Sequence, residues 1–268
     1  MTTHATAPSP TVRPSIPATL RAPAPTPSAA GRYFYSAAAL LMLVIAVVGF
    51  GRFYFQGMAY PGRPLTPPIR GLVIAHGITM SLWMVMLVVQ PLLVATGKRR
   101  VHMTMGWVGT ALAAVVVVTG VMIGCGFARH MPPEAKMWGI APLDFTIVPL
   151  GAIAIFAACV ALGVAWRRKP ALHRPMMLLG TLAAITAALN RIDTLNNLYL
   201  GTVLDTVFGP FLFAVVLGAL LVGVRSVLQK RLDRPLAIGT ATVLLLLVGM
   251  WHAATTPAWR TVAATIAG

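Results

Sequence analysis

Acidic side chains are almost missing: five Asp and Glu stand against 21 Lys and Arg in 268 residues. No apolar run holds a carboxylate pair, so glycosidase or aspartic-protease chemistry has no material to work with. Charge of either sign is scarce, at 10% of residues against about 25% in a soluble domain. A water-soluble globule with so few charges would leave its surface uncovered. That excludes an ordinary cytosolic enzyme, a nucleic-acid-binding domain and a secreted disulfide scaffold. Cysteine is limited to Cys125 and Cys159, with no CxxC or CxxCH motif. Thioredoxin-like redox chemistry and covalent haem c attachment are therefore excluded. The two thiols are expected at different depths, beyond the roughly 7 Å Cα separation that a disulfide tolerates. A Walker loop, GxSxG, HExxH and a dinucleotide glycine fingerprint are all absent.

Apolar length is what the chain does have: 58% hydrophobic residues and a mean hydropathy of +0.82. A membrane-crossing helix needs about 20 mostly apolar residues. Seven such runs occur, near 34–55, 71–95, 103–126, 143–166, 175–195, 203–224 and 236–255. The fifth is the weakest, because Thr181, Thr186, Asn190, Arg191 and Asp193 interrupt or end it. The expected class is all-α, a polytopic membrane bundle. Residues 1–32, rich in Pro, Ala and Thr, read as a disordered tail. A transmembrane domain over 33–257 and a short C-terminal tail over 258–268 complete the plan.

The net charge of +16 would suggest nucleic acid in a soluble protein. Here the basic residues fall in short clusters between spans. Lys98, Arg99 and Arg100, then Arg167, Arg168, Lys169 and Arg174, then Arg225, Lys230, Arg231 and Arg234 occupy alternate loops. The positive-inside rule places these loops in the cytoplasm, the N-terminus inside and the C-terminus outside. Glu134, Asp144, Asp193 and Asp205 then fall on the outer side, where Arg191 has several carboxylates to pair with. Small residues at close-packing spacing, Gly120 with Gly124 and Gly180 with Ala184 and Ala188, suit tight helix contact in lipid. An internal echo links Arg100-Val-His102 with Ala171-Leu-His173, each opening a helix after a basic cluster.

Outside the tail, where His4 lies, five histidines sort into two depths. His102 and His173 open spans three and five on the inner side, whereas His76, His252 and His130 lie toward the outer side. Histidines at two depths are what a b-type dihaem carrier needs, because haem iron takes an axial imidazole from each of two facing helices. His102 with His173 would hold one haem, and His76 with His252 or His130 the other. The plainer reading of His102 and His173 is headgroup contact or helix capping. His76, Trp83 and Gln90 recur every seven residues on one helix face. That face lines a haem or quinone pocket, or else Gln90 makes interhelical hydrogen bonds.

Residues 76–109 (HGITMSLWMVMLVVQPLLVATGKRRVHMTMGWVG) and 167–183 (RRKPALHRPMMLLGTLA) resemble a group of uncharacterised bacterial multi-pass membrane proteins. Those proteins share His-Gly before a Trp-bearing span, a Gln near its inner end, and a basic-x-His-x-x-x-Gly start to the next. The resemblance covers about residues 50–195. It implies a bacterial inner-membrane location and the seven-span plan, and brings no activity with it. Three readings stay open: haem b or quinone-linked electron transfer, a small transporter, and a non-catalytic accessory subunit of a complex. The partners expected are the lipid bilayer and a quinone or redox protein, with no nucleic acid.

Overall fold

A computed structural model describes residues 29–132 and 134–267; the Pro-rich tail lies outside the described residues. Seven helical segments are long and apolar enough to cross a membrane. The first is α1 (Ala29–Gly49), which breaks at Phe50 and continues as the short α2 (Gly51–Gln56). A two-stranded hairpin, β1 (Met58–Ala59) with β2 (Arg63–Pro64), follows. The second and third spans are α3 (Arg70–Ala95) and α4 (Arg99–Gly126). The fourth combines α5 (Pro142–Phe145) with α6 (Ile147–Ala165), and the fifth is α7 (Pro170–Leu189). After α8 (Asp193–Asn196), the sixth joins α9 (Val203–Phe208) to α10 (Leu212–Gln229) through one 3-10 turn at Gly209–Phe211. The seventh is α11 (Arg234–Ala253).

The first span begins and ends earlier than the sequence reading, 29–49 rather than 34–55. The fifth span runs 170–189 rather than 175–195 and is the most enclosed of the seven. Its hydroxyls made it look weak. Both hydroxyls are buried and donate to carbonyls of their own helix, Thr186 to Ala183 and Thr181 to Met177. The C-terminal stretch is a helix, α12 (Pro257–Ala267). Arg260 holds the Asp144 carboxylate through two bonds of 3.0 Å, and Trp259 donates to the Asp144 carbonyl at 3.0 Å.

No hydrophobic drive operates between helices in lipid, so close packing must do the work. Gly120 and Gly124 bring α4 against Ile153 and Leu150 of α6, and Gly180 brings α7 against Phe156 and Cys159. A Cβ at any of these three would lie 2.5–3.2 Å from its neighbours. The apolar residues left outside, such as Val118, Val216 and Leu245, face away from the bundle. Helices α1, α3, α4, α6 and α7 close a ring, each touching the next and α7 returning to α1; α10 and α11 pack behind α7. Trp83 spans this ring from α3, donating to Thr181 of α7 at 3.0 Å and meeting Phe156 of α6 edge-on at 5.0 Å. The ring is thereby plugged midway.

Candidate functional site

On the side of Trp83 facing the basic loops, the ring opens into a cavity of about 1690 Å³. A single small ligand usually occupies roughly 300–1,000 Å³. Trp83, Met86, Val160 and Met177 make its deep, apolar part, and Arg99, Arg167 and Arg174 stand toward the basic end. His102, His173 and Gln90 line it between these zones.

His102 and His173 each occupy the fourth position of their helix, α4 and α7. Both helices flank α6, and the two rings meet across the cavity with centroids 6.3 Å apart and planes at 81°. The last turn of α6 has carbonyls with no helical partner. His173 Nδ1 lies 2.8 Å from one of them, the Gly163 oxygen. A carbonyl only accepts, so Nδ1 carries a proton and Nε2 takes no part in this bond. His102 Nδ1 is enclosed and has no hydrogen-bond partner. Both amide atoms of Gln90 are in the same condition, so the interhelical bonds open to Gln90 in the sequence do not form.

The remaining histidines are placed apart. His76 Nδ1 lies 2.9 Å from Thr119 Oγ1, whose own proton goes to the Val115 carbonyl; Thr119 is therefore the acceptor. His252 Nε2 donates to the Val207 carbonyl at 2.9 Å, on the far side of the bundle. Neither lines the cavity, and no contact joins the two. His4 and the side chain of His130 lie outside the described residues.

Charged groups at the other end also differ from expectation. Arg191 pairs with none of the described carboxylates; it bonds the Ala187 carbonyl and lies 4.7 Å from the Phe50 ring centre. Asp144 is taken by Arg260, Asp193 accepts from Tyr60 at 2.7 Å, and Asp205 accepts from the Gly201 amide at 3.0 Å. Asp233 lies instead among the basic loops, paired with Arg225 at 3.2 Å. Arg225 also donates to the Gly31 carbonyl, fastening α1 to α10. The value of Asp233 was invisible in the sequence, where it stood as one acid in a basic loop.

A haem iron held by two imidazoles fits the donor set. His102 and His173, with ring centres 6.3 Å apart, are the residues that would hold it. The carbonyl bond at His173 is the outer support that ligating histidines regularly have. The apolar part suits a tetrapyrrole, and Arg174, which makes no bond or ion pair of its own among the described residues, suits its carboxylates. For the second site expected at His76 with His252 or His130, the structure brings no contact between His76 and His252, and the His130 side chain lies outside the described residues. Among the described residues no group of three or more His, Cys, Asp or Glu side chains gathers for a metal ion of another kind. No protein-family model, curated protein or solved structure matches this chain.

Proposed function

We propose that this protein is a membrane electron carrier holding one b-type haem between His102 and His173. The observation that carries the reading is the pair of imidazole rings with centres 6.3 Å apart beside the cavity, with Nδ1 of His173 committed to a carbonyl. When bound, the group would supply a one-electron Fe(III)/Fe(II) couple. The chain's own part is to hold and shield it. His102 and His173 supply the nitrogens, Trp83 and Met86 keep water from the deep side, and Arg167 and Arg174 offer cations to the carboxylates. By the positive-inside rule the cavity faces the cytoplasm of a bacterial inner membrane.

Absorption of the purified, full-length protein from a haem-replete host tests this. A reduced-minus-oxidised b-type spectrum is expected. His102→Ala and His173→Ala should each abolish it, and His76→Ala should keep it. A folded but colourless wild type overturns the reading. The cavity also favours a second function, a small transporter in one access state, since Trp83 closes one end and the basic loops surround the other. Uptake into proteoliposomes by a colourless protein would establish that alternative.

A further inference from the structure

We propose that the basic-loop ends of α1, α7, α10 and α11 form a site for the phosphate of an anionic phospholipid. The site stands independently of the haem reading and needs no cofactor.

A second pocket, of about 660 Å³, lies at these helix ends. That volume suits one small group. The first turn of α7, the end of α10 and the connection into α11 line it, together with Tyr35 of α1. Four arginines, Arg174, Arg225, Arg231 and Arg234, meet there with a single carboxylate, Asp233. Asp233 is already committed. Its Oδ2 lies 3.2 Å from Arg225 Nε, and its Oδ1 accepts the Leu236 N–H in the first turn of α11. The side chains of Arg174, Arg231 and Arg234 have no hydrogen bond or ion pair among the described residues. Membrane topology asks only that arginines sit in the loops. It does not ask arginines from two separate connections to converge on one pocket.

Two further donors in the lining are unused. Tyr35 is 8% exposed, and no acceptor bonds its hydroxyl among the described residues. Arg225, 5.2 Å from the Tyr35 ring centre, can only donate. An enclosed O–H without an acceptor calls for one. The Ala171 N–H, in the first turn of α7, has no side-chain cap and no acceptor either, and such an amide favours an anion. Arginines, a hydroxyl and a helix amide around one pocket describe a compact, oxygen-rich anion, for which a phosphate is the fitting group.

The surroundings attach that phosphate to a lipid. The pocket lies where the spans end, at headgroup depth. Ile238 stands one turn further into the span than Arg234, on the same face of α11, and is 67% exposed. An acyl chain can run along this face while its phosphate sits among the arginines. Basic pockets between helices on the cytoplasmic side bind anionic headgroups in this way. Arg174 and Arg231 also line the histidine cavity, whereas Arg234 lines this pocket and not the other.

The test titrates full-length protein in neutral detergent with phosphatidylglycerol, using phosphatidylcholine as the zwitterionic comparison and native mass spectrometry to count bound lipid. One phosphatidylglycerol per chain should bind more tightly than phosphatidylcholine. Arg231→Gln combined with Arg234→Gln should weaken it about 25-fold, or roughly fivefold for each arginine. Lys98→Gln combined with Arg100→Gln removes the same charge from another basic loop, outside the pocket, and should leave binding unchanged. Equal weakening by the two pairs would reduce the effect to the diffuse field of the basic face and overturn the site. Equal binding of the two lipids overturns it as well. Displacement of the lipid by inorganic phosphate would assign the pocket to a soluble anion and overturn the lipid. Should the arginine pair fail to fold, Tyr35→Phe decides: losing a hydrogen bond to an anion should weaken binding about tenfold, and unchanged affinity overturns the proposal.

Discussion

An indole N–H inside a bilayer has no water to bond, so Trp83 must find a protein acceptor. Thr181 supplies it at 3.0 Å, and Phe156 completes the enclosure. Trp83→Phe keeps one aromatic ring and removes that bond together with the second ring of the indole. Loss of the bond should cost about 0.6 kcal/mol and at most ~1.7, read from unfolding in detergent. A much larger loss would mean that the indole volume, and not the bond, holds the ring of helices. Tyr60 offers a second single-residue test, outside the spans. Burial first, then the bond to Asp193 and its negative charge, push the phenol above its ordinary value. A raised phenol contributes stability that is fully present below about pH 10 and lost as pH rises through the folded value. The tyrosinate absorbance missing in Tyr60→Phe should therefore develop at higher pH than in free tyrosine. Asp193→Asn should move it back down. The seven-residue spacing of His76, Trp83 and Gln90 was legible as one face. Which of the three would be bonded was not, since their partners come from α4 and α7.

Elements are fixed by small residues and by one ion pair. Gly180 already lies 3.2 Å, measured from where a Cβ would sit, from the Phe156 carbonyl and the Cys159 side chain. Gly180→Leu forces α6 and α7 apart and should cost about 1–3 kcal/mol. It should also weaken haem binding, because the same two helices carry Gly163 and His173. Helix α12 depends on a different contact. Asp144 is buried at the start of the fourth span and Arg260 is its cation. Asp144→Asn should leave the seven spans intact while exposing 257–267 to limited proteolysis; equal resistance in both proteins would show that Trp259 alone suffices. Helix lengths and positions were largely readable from apolar runs. The fifth span was underrated because its hydroxyls, which read as interruptions, bond carbonyls of their own helix.

At the scale of the molecule, the ring of five helices and the end of α10 together line the cavity, and no single helix implies it. Sidedness is testable with reporter fusions: a C-terminal alkaline phosphatase should be active and a C-terminal fluorescent protein dark.

Composition and run length alone determined a seven-span helical membrane protein, because an apolar stretch of about 20 residues has few other stable fates. Spacing alone also placed His102 and His173 at corresponding starts of two helices. Tertiary structure decided the rest. Whether two imidazoles separated by a whole span meet depends on which helices neighbour α6, a matter of glycines fitting against Ile153, Leu150 and Phe156. The scarcity of acids takes on a second meaning there. Of the few carboxylates, Asp144 and Asp233 each neutralise one arginine, and none lines the cavity's histidines, leaving the basic end free to receive an anion.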